Sequence, residues 1–279
     1  MHIHHLNCGT DCPFGGAFFD GRSRGPLARL VCHCLLIETP SSGLVLVDTG
    51  YGLRDVAKPF PRISLPFAAL LNVRLREEET AIRQIERLGY QASDVRHIVL
   101  THLDFDHAGG LHDFAHARVH VTRSELETFQ SRRRGFVMRQ RYRPMQVEGV
   151  TDWRAYEATG DRWFGFEATR GLDGLPPEIL LVPLRGHTYG HAGVAVASGD
   201  GWLLHAGDAY FHRDEVRSPR RRCTPGLRLY QNLMEVDRAA RLTNQDRLRR
   251  LSCEERSQLR IISAHDPVEF EAAASGAPL

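Results

Sequence analysis

No stretch of the 279 residues approaches the roughly 18 consecutive apolar positions that a bilayer-spanning helix requires, so a helical membrane protein is excluded and no membrane partner is expected. The segment Met1 to Thr10 has neither the basic start nor the apolar run of a secretory signal, which places the chain, as an expectation, in the cytoplasm. Lysine is almost missing: Lys58 is the only one among 36 basic residues. Against 34 acidic residues the net charge is only +2, too small to call for nucleic acid as a partner. Cysteines are few for the length and poorly spaced for metal fingers or a disulfide framework. Cys8, Cys12, Cys32, Cys34, Cys223 and Cys253 contain no C-x2-C pair and read as reduced thiols. Repeats and low-complexity tracts are lacking too, which excludes solenoids and linker-rich architectures.

What is present is an ordinary globular composition, 42% hydrophobic and 25% charged, with an unusual 15 histidines. Strand-like runs at Leu30–Glu38 and Leu44–Val47 flank a Thr-Pro-Ser-Ser-Gly turn, a hairpin signal. Lys58 to Pro66 reads as loop, and Glu77–Leu88 reads as an amphipathic helix stopped by Gly89. Further strands are expected at His97–Leu100, Arg118–Val121, Ile179–Leu184, Gly193–Ala197, Trp202–His205 and Arg260–Ser263, with helices at Ser124–Gln130 and Glu235–Leu251. Periodicity degrades between residues 131 and 178. That stretch reads as a cap inserted into one α/β domain covering residues 1–279, its surface a candidate for self-association into a homodimer.

The densest chemical signal is Thr101-His102-Leu103-Asp104-Phe105-Asp106-His107-Ala108-Gly109-Gly110. Four imidazole or carboxylate groups fall within six residues, directly after an apolar strand. A loop at a strand end can turn such side chains to one point, and these are the donors that zinc, iron and manganese accept. His187, Asp208 and His265 each follow a later apolar run. Seven ligands in all are enough for two metal ions.

These motifs, with Val47-Asp48-Thr49-Gly50 ahead of them and Ala264-His265-Asp266 at the end, resemble the metallo-β-lactamase superfamily of metallohydrolases, and within it the lactonase-like branch. The resemblance implies a four-layer αββα sandwich with metals at one edge between the sheets. One ion would take His102, Asp104 and His187; the other would take Asp106, His107 and His265; Asp208 would bridge them, and Asp48 would sit buried behind. It also implies a metal-dependent hydrolase that opens an ester bond, most simply a lactone, with a hydroxide shared by the metals. Thioesters, phosphoesters and β-lactams are alternatives on the same site. A diiron redox protein and a nucleic-acid processing enzyme are further readings, suggested by Asp104 and by the arginine clusters.

Asp104 is the departure, because the family motif carries histidine there. Two divalent cations, three aspartates and one hydroxide sum to zero, where a histidine would leave +1. The expectation is a bridging water with a higher pKa, and a shift of preference from zinc toward iron or manganese; the alternative is that Asp104 leaves one ion weakly held and the enzyme effectively mononuclear. Asp106 would orient the reacting groups. Tyr210, two residues past Asp208, is the candidate proton donor; resembling lactonases have their tyrosine three residues past the aspartate, where this chain has Phe211. His191 is expected to orient the His187 ring. Arg132–Arg134 and Arg220–Arg222 read as solvated faces or as a ring attracting an anionic substrate, and Trp153, Tyr156, Trp163 and Phe164 as the interior of the cap or as an apolar wall for an acyl chain.

Overall fold

Strands buried on both faces explain why the apolar runs here show so little polar alternation. In the computed structural model, which describes residues 1–131, 135–157, 160–168, 171–199, 201–255 and 257–277, two sheets pack face to face. The larger contains β1 (His2–Asp11), β2 (Leu30–Glu38), β3 (Leu44–Val47), β4 (Val73–Arg74), β5 (Val95–Val99), β6 (Arg118–Thr122) and β7 (Trp153–Tyr156), in the order β4-β1-β2-β3-β5-β6-β7. After a short hairpin of β8 (Asp161–Trp163) and β9 (Phe166–Ala168), the smaller sheet runs in chain order through β10 (Ile179–Pro183), β11 (Ala192–Ser198), β12 (Gly201–His205) and β13 (Leu259–Ile262).

Successive side chains of one strand enter different layers. Leu35, Ile37, Val45, Val47 and Val99 meet Ile179, Leu181, Val194, Leu203 and Ile262 of the facing sheet. Leu36, Leu46 and Ile98 point the other way, onto Ile85 of the helix Ala81–Arg87. Across the smaller sheet, Leu180, Ala195, Leu204 and Ile261 cover Leu248 and Leu251 of the helix Arg238–Glu254. The result is helix, sheet, sheet, helix: the expected four-layer αββα arrangement.

The parallel pairs β3–β5 and β12–β13 bring their C-terminal ends to one edge of the sandwich, and that edge carries every predicted ligand. The stretch read as a cap behaves differently. Its Trp153–Tyr156 is the outermost strand of the larger sheet, and Trp163 and Phe166 are buried against the smaller one. Loss of periodicity there reflects short elements stitched onto the sheets, not a separate lobe. The helix expected at Glu235–Leu251 is present as Arg238–Glu254, and a separate helix that was not expected, Pro225–Met234, precedes it. Asp237 caps the second, accepting from the Ala240 amide, while Val236 and Asp237 donate their backbone amides to the Gly186 carbonyl, which holds the break in place. The histidine-rich start, unassigned from sequence, is β1, paired along its length with β2. Among the described residues no helix is long and apolar enough to cross a membrane.

Candidate metal centre

The loop after β5 turns immediately into a single helical turn, Phe105–Ala108, whose start is Asp104; the amides of His107 and Ala108 both donate to the Asp104 carbonyl. This turn is what lets four donor residues in six face one region. Two glycines close it. A Cβ on Gly109 would stand 2.3 Å from Asp55 Oδ2 and 2.8 Å from the Gly50 carbonyl, so the loop could not seat with any larger residue. At the other approach, Gly207 takes φ 53 just before Asp208, and a Cβ there would lie 2.7 Å from His191 Nε2.

All seven predicted ligands converge, and all are buried. Around one position, His102 Nε2 and His187 Nε2 lie 3.3 and 3.0 Å from Asp104 Oδ2, and 3.7 and 3.3 Å from Asp208 Oδ2. Around the other, His107 Nε2 and His265 Nε2 lie 3.7 and 3.5 Å from Asp106 Oδ2, 3.3 and 3.1 Å from Asp208 Oδ1, and 3.3 Å from each other. A tetrahedral ion with bonds of about 2.0–2.1 Å has donor–donor edges of about 3.3 Å, which is the spacing found. Asp208 therefore divides its two oxygens between the two positions. His102 Nε2 and Asp208 Oδ1 are buried with no hydrogen-bond partner among the described residues. Such orphaned atoms in a polar cluster fit metal donors and suit no other role evident here.

The imidazoles are aimed from behind. His107 Nδ1 lies 2.8 Å from Asp48 Oδ2, and Asp48 also accepts from the Thr101 amide and hydroxyl. His265 Nδ1 donates to the Val31 carbonyl at 2.7 Å, which frees Nε2 as the donor atom. Asp48 itself has φ 55, an unusual left-handed backbone for a residue with a side chain, and its three contacts are what hold it there. Against the burial that would lower it, the His265 pKa is raised to about 9 by Asp208 and Asp106, so the unmetallated cluster draws protons in.

Several residues differ from their sequence-based expectation. Tyr210 is fully buried and donates to Glu269 at 2.9 Å, in the layer behind the site rather than at its mouth. His191 does not orient His187: its Nδ1 donates to the Leu184 carbonyl and its Nε2 accepts from the Asp208 amide, so it fixes the bridging residue. His120, given no role from sequence, is buried on β6 between His97 and Tyr156. The cysteines are free thiols, and Cys32 Sγ lies close to Asp106 and His265. Arg220–Arg222 are exposed, and Arg132–Arg134 lie outside the described residues.

Three residues that the sequence reading gave no role lie beside the donor cluster. Phe211 stacks flat on His265, with ring centroids 5.1 Å apart, and meets Tyr230 edge-on at 5.6 Å. Tyr230, on the helix Pro225–Met234, has its hydroxyl raised well above the phenol range by burial first and then by Asp106, Asp104 and Asp208, so it stays protonated beside the cluster. Arg141, fully buried, donates from Nε to Asp104 Oδ1 at 2.7 Å and from Nη2 to Asp104 Oδ2 at 2.6 Å. Burial alone would raise the Asp104 carboxyl; Arg141, then His102, holds it well below the carboxylate range. The charge tally drawn from sequence leaves out this residue. With two divalent ions and a hydroxide bound, Arg141 would bring the total to the +1 of a histidine site.

The profile of the metallo-β-lactamase superfamily matches residues 27–251. A protein named probable metallo-hydrolase from Mycobacterium tuberculosis is 41% identical over 279 residues, covering 98% of this chain and 83% of its own length. An N-acyl homoserine lactonase of Bacillus cereus is 32% identical over 108 residues, covering 39% of this chain and 43% of its own. Among solved structures, an N-acyl homoserine lactone hydrolase with N-hexanoyl-L-homoserine at its catalytic metal centre superposes with TM-score 0.69 at 21% identity, covering 97% of this chain and 95% of that one. The dizinc quorum-quenching lactonase AidC superposes with TM-score 0.61 at 15% identity, covering 95% and 87%.

Proposed function

This chain belongs to the metallo-β-lactamase superfamily and is a hydrolase of that group; from that premise we propose that it opens the cyclic ester of a lactone, with two metal positions that share Asp208. The observation that carries the reading is the pair of four-atom donor sets with tetrahedral spacing, joined through the two oxygens of one carboxylate. The lactone is supported by the relatives that act on acyl homoserine lactones. Zinc accepts the two imidazoles and two carboxylates of each set, and Asp104 also admits iron or manganese.

When bound, the ions supply a Lewis acid and lower the pKa of coordinated water toward neutrality. The chain's own residues do the rest. Asp48 and Val31 hold the rings of His107 and His265 in the tautomer that presents Nε2. Asp106 is the most exposed of the ligands, at 7%, and orients what reaches the centre from outside. The flat ring of Phe211 walls the site between His187 and His265. Tyr230, whose ring meets that of Phe211 edge-on at 5.6 Å, takes over as candidate donor to the leaving alkoxide of an opened ring, the role first assigned to Tyr210. The reading includes a cytoplasmic setting, in keeping with six free cysteines, and self-association through the exposed Leu229 and Leu233.

The test is metal analysis of the purified protein followed by hydrolysis of acyl homoserine lactones, aryl esters, thioesters, phosphodiesters and β-lactams. Lactones should turn over fastest, only with Zn²⁺, Mn²⁺ or Fe²⁺ present. Equal or faster turnover of another class removes the lactone assignment, and no metal-dependent turnover of any class removes the hydrolase.

A further inference from the structure

Arg141 does more than neutralise Asp104. It is the last residue of the helix Phe136–Arg141, and its side chain is wholly shielded from solvent. Nη1 donates to the carbonyls of Met234 at 2.8 Å and His187 at 3.1 Å, two segments far apart in sequence, so the guanidinium is anchored at its far corner. Nη2 lies 2.6 Å from Asp104 Oδ2 and 2.6 Å from His187 Nε2. A guanidinium has donors only. His187 must therefore accept with the Nε2 lone pair, the same pair a metal ion would use. The other position differs: among the described residues no arginine or lysine forms a hydrogen bond or ion pair with Asp106, His107, Asp208 or His265.

We propose that the two metal positions are unequal, with Arg141 as a resident cation at the first. The position of Asp106, His107, His265 and Asp208 Oδ1 fills first and tightly. The position of His102, Asp104, His187 and Asp208 Oδ2 fills only when an ion displaces Nη2 from His187. That displacement sets a divalent cation close to a fixed positive charge in a dry setting, where like charges repel strongly. Full withdrawal of the guanidinium would leave two buried carbonyls unpaired. The Asp104–Arg141 pair thus replaces a neutral ligand histidine with a carboxylate whose charge is already spoken for.

The inference rests on the metallohydrolase reading, and its test separates the two. Metal-free protein is titrated with Zn²⁺ against a chromophoric chelator, and with Mn²⁺ under electron paramagnetic resonance. Wild type should bind one equivalent tightly and a second about 100-fold or more weaker, with Mn²⁺ giving the six-line signal of an isolated ion at one equivalent. Arg141→Met should bring the two affinities within about 10-fold and produce an exchange-coupled spectrum at two equivalents; Arg141→Lys should keep the inequality. Two equally tight equivalents in wild type overturn the proposal, as does an Arg141→Met protein that still binds one. The wild-type titration alone decides the matter if Arg141→Met does not fold. Unequal binding without turnover of any ester would overturn the function and leave this inference standing; no tight equivalent at all overturns both.

Discussion

Glu125 is the residue on which the site's framework should depend most, although it touches no predicted ligand side chain. It is fully buried at the start of the helix Arg123–Gln130. Oε1 accepts from the Leu103 amide at 3.0 Å and the Tyr142 hydroxyl at 2.8 Å; Oε2 accepts from the Thr188 hydroxyl at 2.6 Å and the Gly190 amide at 3.2 Å. One carboxylate thus ties the residue between His102 and Asp104 to the residue after Arg141 and to the loop after His187. Glu125→Gln keeps the volume, retains one oxygen with two donors, and turns an NH2 group against the Gly190 amide. The Thr188 hydroxyl can reverse and accept; the Gly190 N–H cannot. Charge-assisted hydrogen bonds contribute about 1.5–3 kcal/mol each, so weakening one pair and stranding one donor should cost about 3 kcal/mol, a large share of a typical stability of about 5–15 kcal/mol. Urea unfolding followed by tryptophan fluorescence, with chelator present so that metal linkage does not mask the loss, measures it directly. Metal affinity should weaken as well, because two ligand loops lose their common anchor. A loss below about 1 kcal/mol in chelator, with metal binding unchanged, would refute the reasoning.

Three other outcomes are expected. Tyr230→Phe should lower kcat by about 10- to 100-fold with metal content unchanged, while Tyr210→Phe should mainly reduce stability by removing one donor from Glu269, which keeps Arg217 and the Ser263 amide; the reverse ranking in steady-state kinetics would restore Tyr210 as the donor. Asp48→Asn should weaken metal binding by about 10- to 100-fold in chelator competition, since His107 loses its carboxylate partner; an unchanged affinity would mean that the Asp48 contact is structural only. His120, neutral because burial and then His97 lower its pKa to about 3, takes up its proton only on unfolding. The unfolded state therefore binds more protons below pH 6.5, and stability should fall as pH drops from there toward 3, with this residue contributing at most about 1.4 kcal/mol per unit. His120→Gln should flatten that slope in urea titrations between pH 6.5 and 4, and an unaltered slope would show that other groups govern it.

The hairpin Leu30–Glu38 and Leu44–Val47 matches its sequence reading to the residue, because a Thr–Gly turn and two apolar runs leave the local backbone little choice. The ligands were legible for a related reason: each stands directly after an apolar run, and a strand end is a local feature. The helix Pro225–Met234 and the start of the next one at Arg238 were not, since a carbonyl of Gly186, some fifty residues earlier in the chain, holds the turn between them. The role of His2–Asp11 was hidden too, because β1 lacks the plain apolar run of its partner and gains its place through pairing with β2.

Sequence alone determined that this chain carries seven candidate metal donors, because donor chemistry and strand-end position are both written in local order, and the αββα metallohydrolase reading came from the resemblance those motifs bear to a known family. Only the tertiary structure decided how those donors are balanced. Arg141 reaches Asp104 across 37 positions, Tyr230 arrives from a helix beyond the last β12 ligand, and Tyr210 turns away to Glu269. A charge tally from sequence counts only the residues already suspected, whereas the field in a buried site sums over every group the fold brings near.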